Sequence, residues 1–125
     1  MNQGVILLGH GSRREEANAE VRAIEAMLRQ KRPQTIYSSA YLSLQTPDLS
    51  EAVEQMAQRG VNRIIVMPLF LFTGDHVKKD IPNLVQKLGD TYPEVQIVLA
   101  RHFGADPGIV DIVQQRIEEA QNTRL

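Results

Sequence analysis

VILLGHGS, residues 5–12, decides how the rest of the chain folds. Val5 to Leu8 are aliphatic without alternation, the pattern of a strand buried on both faces. Gly9-His10-Gly11 cannot continue such a strand comfortably and reads as a sharp turn. Ser12 with Glu15 spells S-x-x-E, the capping box that opens a helix. The expectation is strand, glycine turn, helix, with His10 at the apex. In open parallel sheets ligands bind outside the carboxyl ends of the strands. A glycine on each side of His10 leaves room for a ligand to approach the backbone. A single histidine near a strand end is more often structural than catalytic. Against that stand the Gly-His-Gly setting and a second histidine, His76, just past another buried run.

Downstream, Ala17, Val21, Ile24 and Leu28 repeat at helical spacing between charged residues, and Pro33 ends that helix near Lys31. Thr35–Ala40 reads as a short, partly polar strand, which suggests an edge position. Pro47 and Asp48 open a second helix, with Asp48 and Glu51 as a capping box, Leu49, Val53 and Met56 as its apolar stripe, and Gly60 past its end. Asn62–Leu69 is a second buried strand, limited by Pro68. Val77, Ile81, Leu84, Val85 and Leu88 mark a third helix, and Gly89 and Pro93 end it. It starts either near Asp80, with Pro82 in its first turn, or earlier with a kink at Pro82. Val95–Ala100 is the fourth strand. Asp106-Pro107 caps a last helix with Ile109, Val113 and Ile117 facing inward. Strict β-α-β-α-β-α-β-α alternation predicts an α/β fold, a four-stranded parallel sheet with helices on both faces and right-handed crossovers.

The chain's 125 residues suit one domain, 1–125. A net charge of −1 gives no electrostatic case for nucleic acid or an anionic membrane surface. No run approaches the ~20 apolar residues of a membrane span. No secretory signal is visible, so the expected location is cytoplasmic. With no cysteine, thiolate metal sites and a cysteine nucleophile are excluded.

With the strands side by side, the carboxyl edge carries His10, the segment 40–45, Leu69–His76 and Arg101-His102. All three histidines of the chain fall there. Two imidazoles without thiols suit a borderline divalent ion, yet closed structural sites use four ligands. Such a site would be open and able to release its ion. Leu69–Thr73, LFLFT, is either more core or an apolar wall for a flat ligand. Arg13, Arg14, Lys78 and Lys79 are either solvated helix surface or a rim for carboxylates.

LLGHGSR, AYLSLQTPDL and RIIVMPLFLFTGDHVKKDIP together resemble the short sirohydrochlorin chelatases of the CbiX/SirB type over nearly the whole chain. The resemblance implies a single-domain chelatase-like fold, equivalent to half of the larger two-domain chelatases. It implies a homodimer with the tetrapyrrole above the strand ends. By position, His10 is similar to the metal ligand and proton acceptor, and His76 to the second metal ligand. Leu71, Phe72, Thr73, Gly74 and Asp75 match the substrate-binding loop, and Ser43 and Thr46 join them as implied substrate-binding positions; such chelatases often carry an acidic residue at the Ser43 position and some carry one at the Thr46 position. This chain has no carboxylate between Gln34 and Pro47.

The expected activity is insertion of a divalent ion (Co²⁺, Fe²⁺ or Ni²⁺) into sirohydrochlorin, with the metal as substrate and no organic cofactor. A non-catalytic metal or tetrapyrrole carrier with the same pocket is the alternative. A histidine phosphatase would need Arg-His-Gly at the first strand end, where Gly9 precedes His10. Nucleophile-elbow hydrolases and dinucleotide enzymes fail for want of G-x-S-x-G and G-x-G-x-x-G.

Overall fold

The computed structural model describes residues 2–123, apart from the side chain of His76. Eight elements alternate: β1 (Gln3–Gly9), α1 (Glu15–Lys31), β2 (Ile36–Tyr41), α2 (Leu49–Gln58), β3 (Arg63–Pro68), α3 (Asp75–Thr91), β4 (Gln96–Leu99) and α4 (Pro107–Gln121). The four strands form one parallel sheet in the order β2-β1-β3-β4. The chain starts at the centre, steps to one edge, then returns past β1 and continues to the other. The strand order therefore reverses beside β1, so the turn that carries His10 lies at the switch point where open α/β sheets bind ligands.

Parallel register puts Ile6, Leu8, Ala40, Ile64, Val66, Ile97 and Leu99 on one face. That face packs on Leu49, Val53 and Met56 of α2 and Ile81, Val85 and Leu88 of α3, and together they make the hydrophobic core. The opposite face carries Val5, Leu7, Tyr37, Ser39, Tyr41, Ile65, Met67 and Val98. There α1 covers β2 and β1, and Leu7, Tyr37, Ser39 and Tyr41 are buried. Towards β4 the cover ends, and Ile65, Met67 and Val98 are only half-buried.

Several expectations hold. Asp48 and Glu51 form the reciprocal capping box of α2, and Asp106 caps α4 by accepting from the Gly108 N–H at 2.8 Å. Pro68 is the last residue of β3, and β2 is an edge strand. Of the two starts offered for the third helix, the earlier is found: α3 begins at Asp75 and runs through Pro82, but Gly89, expected to end it, lies inside the helix, which continues to Thr91.

Others are corrected. Ser12 does not cap α1: the helix starts at Glu15, with Arg14 at the cap position and no side-chain cap. Ser12 instead closes its own turn, its Oγ accepting from the Arg14 N–H at 3.0 Å. Short serine turns of this kind compete directly with helix capping. Although β2 lies at the edge, its last three residues are buried, because α1 and α2 cover both its faces. Ala17 and Ile24 are exposed, and the only buried residue of α1 is Asn18. The largest departure is α4. None of its residues is buried, Val113 and Ile117 are half exposed at 50% and 51%, and no element of the described chain packs along it.

Candidate metal and tetrapyrrole site

The His10 turn is held by the chain on three sides. On one, the Leu42 N–H donates to the Gly9 carbonyl at 3.0 Å and the Ser43 N–H to the His10 carbonyl at 3.1 Å. These bonds carry the β1–β2 ladder past the strands. On the second, Asn18 clamps Ser12: its side-chain oxygen accepts from the Ser12 N–H at 3.0 Å and its amide donates to the Ser12 carbonyl at 2.8 Å. Asn18 is 1% exposed and Ser12 half-buried, so an unmet polar group left here is costly. Tyr41 completes the arrangement by donating its hydroxyl to the Asn18 carbonyl at 3.2 Å. On the third side, the His10 ring lies on Phe70, centroids 3.9 Å apart and planes 26° from parallel.

Gly11 has φ 89°, a conformation side chains rarely adopt, and a Cβ there would lie 1.7 Å from the Ser43 carbonyl oxygen. The close approach that this glycine permits is therefore to the chain's own backbone, where a ligand was expected. His10 is exposed all the same, its imidazole resting on a buried aromatic floor and open above.

Leu69–Thr73 divides between its two readings. Phe70 is core at 2% exposure, whereas Leu71 and Phe72 stand out at 49% and 73%. The loop is anchored by the segment after β4: the Phe103 N–H donates to the Phe70 carbonyl at 3.0 Å and the Gly104 N–H to the Leu71 carbonyl at 2.8 Å. These bonds carry Arg101 and His102 alongside Phe70. The result is a pocket of about 270 Å³ between α3 and the ends of β3 and β4, with an apolar wall of Pro68, Phe70, Val77 and Leu99. Its polar rim is Lys78, Arg101 and His102. Pro82 also lines it; lacking an N–H, it leaves the Lys78 carbonyl without its usual helical donor.

The structure thus brings Ser43, Phe70 and the Leu71–Thr73 loop to the His10 edge. Thr46 is exposed, next to a cis peptide bond to Pro47, and no hydrogen bond ties it to the His10 turn. Gly74 precedes α3, and a Cβ there would meet nothing, so packing does not require the glycine. Asp75 and His76 are the first two residues of α3; the side chain of His76 lies outside the described residues. Among those residues no three histidine or carboxylate groups converge as a closed metal cage. The expected basic rim is uneven. Arg13 and Arg14 share their surface with Glu15, Glu16 and Glu20. Glu15, paired with Arg22, is held below the usual carboxylate range by that guanidinium and so stays anionic. The positive side of the edge is the one with Lys78 and Arg101. Sequence reading placed Arg101-His102 at a strand end but assigned neither to binding; adjacency to Phe70 comes only from the post-strand hydrogen bonds.

A protein-family model described as CbiX matches residues 4–120. The chain is 34% identical over 115 residues to a sirohydrochlorin ferrochelatase of Priestia megaterium, covering 92% of this chain and 43% of that protein. It is 32% identical over 117 residues to a sirohydrochlorin cobaltochelatase of Sulfolobus acidocaldarius, covering 94% and 91%. Among solved structures it matches the sirohydrochlorin chelatase SirB from Bacillus subtilis subspecies spizizenii, in complex with cobalt. That match has a TM-score of 0.86 at 29% identity and covers 95% of this chain and 51% of that one. The chain therefore spans about half the length of the ferrochelatases and of the SirB chain that it matches. No described helix is long and apolar enough to cross a membrane.

Proposed function

The chain belongs to the CbiX family, and from that premise we propose that it inserts a divalent metal ion into sirohydrochlorin, acting as a homodimer. The observation that carries this reading is His10: an exposed imidazole at the switch point of a parallel sheet, stacked on Phe70, the residue that also walls the pocket rimmed by Lys78, Arg101 and His102.

Insertion exchanges two pyrrole protons for one divalent ion. The macrocycle is flat, apolar on its faces and anionic at its periphery. Leu71 and Phe72 offer the apolar contact, and Lys78 and Arg101 offer cations to peripheral carboxylates. Thr73, Gly74 and Asp75 complete the loop, and Ser43 borders it through its bond to His10. His10 would present the ion through its one unprotonated ring nitrogen; once the ion has passed to the ring, that freed nitrogen accepts a pyrrole proton, while the second proton leaves to solvent. His76 is the second ligand in this reading. Two protein ligands leave the ion's remaining positions to water and to the incoming pyrrole nitrogens, which lets it depart into the ring. Strain that distorts the ring out of plane and exposes its pyrrole nitrogens is supplied by binding its rim.

The test is an anaerobic absorbance assay of sirohydrochlorin with Co²⁺, Fe²⁺ and Ni²⁺ in turn. Multiple turnovers that vanish in His10→Ala support a chelatase, and the relative rates rank the metals. Tight binding of the tetrapyrrole with no acceleration beyond the spontaneous reaction would instead identify a carrier.

A further inference from the structure

The stacked rings of His10 and Phe70 stand between two cavities, and each ring lines one of them. Phe70 walls the α3-side pocket described above, where the charged lining residues, Lys78 and Arg101, are both cations. His10 lines a second cavity of about 310 Å³, a cleft between the first half of α1 and the segments that carry Leu69 and Phe103. Val21 and Ile24 make its apolar wall on the helix side. Apart from the imidazole, Glu20 is the only ionisable group among the described residues that line it. The two cavities therefore differ in sign.

Glu20 is exposed, and among the described residues no salt bridge engages it, whereas Glu15 is paired with Arg22. Arg13 and Arg14 border Glu20 on the outer surface, where Glu15 and Glu16 match them charge for charge, and neither arginine lines the cleft. The segment after β2 brings Ser43 to His10 but carries no carboxylate. Among the described residues Glu20 is thus the carboxylate that shares a cavity with His10. Carboxylate and imidazole both ligate borderline divalent ions. No third histidine or carboxylate of the described residues converges with them, so an ion here keeps most of its waters and is held reversibly.

We propose that the α1-side cleft is the metal's way in: a hydrated divalent cation docks on Glu20 and passes along the cleft to His10, while Lys78 and Arg101 hold the anionic tetrapyrrole from the α3 side. A cation approaching on the α3 side meets two positive side chains, and one approaching on the α1 side meets a carboxylate; charge in the two cavities sorts two substrates of opposite sign. Neither substrate then blocks the other. The assignment rests on the metal-insertion reading and adds to it the route of one substrate.

Calorimetric titration of the full chain with Co²⁺, in the absence of tetrapyrrole, tests it. Glu20→Gln keeps the size of an exposed side chain and should weaken Co²⁺ binding about tenfold, as expected when one unit charge near a divalent ion is removed. Glu16→Gln, on the same helix but outside the cleft, should stay within about twofold of wild type. In a His10→Ala background Glu20→Gln should cost clearly less, because the two residues serve one ion. In the insertion assay Glu20→Gln should raise the KM for metal and leave the KM for sirohydrochlorin unchanged. An unaltered Co²⁺ affinity in Glu20→Gln, equal losses in Glu16→Gln and Glu20→Gln, or full additivity with His10→Ala would overturn the proposal. The titration involves no insertion, so the two readings fail separately. A chain that binds Co²⁺ through Glu20 but turns nothing over keeps the cleft and loses the chelatase; a chelatase indifferent to Glu20 does the reverse.

Discussion

The imidazole of His10 rests on the ring of Phe70 with the centroids 3.9 Å apart, an exposed side chain supported by a buried one. The two therefore separate function from stability. His10→Ala should leave the thermal midpoint within a few degrees of wild type and abolish metal insertion. Phe70→Ala should cost about 3–5 kcal/mol in urea unfolding, as large aromatic truncations in cores do. Phe70→Leu should keep most of the stability and still slow turnover, because the imidazole loses its flat support. If His10→Ala unfolds, the histidine is structural.

Gly11 and Gly60 make a matched pair. Both have positive φ, 89° and 82°, but a Cβ at Gly60 meets nothing while one at Gly11 strikes the Ser43 carbonyl at 1.7 Å. Gly60→Ala should cost about 1–2 kcal/mol, the ordinary penalty of a left-handed side chain. Gly11→Ala should cost more than that and should also lower insertion activity, since the His10 and Ser43 segments must part. Equal losses in the two variants would show that the clash relaxes freely.

Asn18→Ala removes both bonds to the Ser12 backbone, which is half-buried. The expected loss is about 2 kcal/mol or more. Asn18→Asp keeps the acceptor and loses the donor, so it should fall between. Hydrogen exchange at the Ser12 N–H should quicken in Asn18→Ala before the β1 amides respond.

Arg101→Ala should raise the KM for sirohydrochlorin several-fold with the KM for the metal unchanged, as expected of a cation that holds a peripheral carboxylate. Leu71→Ser/Phe72→Ser should also raise the KM for the tetrapyrrole, with no loss of stability, because both side chains are largely exposed. A parallel rise in the KM for metal in Arg101→Ala would move that residue out of the carboxylate role.

The order of elements, the caps of α2 and α4 and the parallel sheet were legible because aliphatic runs, Pro47-Asp48 and Asp106-Pro107 act locally. The Leu69–Thr73 loop was legible as apolar but not as divided, since Phe70 goes to the core and Leu71 and Phe72 to solvent in a loop fixed by the Phe103 and Gly104 bonds. Ser12 misled, because its hydroxyl serves a turn as readily as a helix cap. Asn18 left no sequence signal: a polar residue inside an apolar stripe looks like surface until Ser12 is seen to meet it. At α4 the periodicity marked an apolar face, but periodicity does not say whether the face is buried, and Val113 and Ile117, expected inward, are half exposed.

The three-residue delay before α1 has an electrostatic consequence. A helix beginning at Ser12 would set the positive end of its backbone dipole two residues from His10, which in the proposed function receives a cation. That end repels cations by about as much as it attracts anions, 0.3–1 kcal/mol where exposed. The Ser12–Arg14 turn sets the dipole back to Glu15, and Glu15 and Glu16 in the first turn offset it further. Under the proposed function, the turn after His10 thus keeps the fold's own backbone field away from the ion.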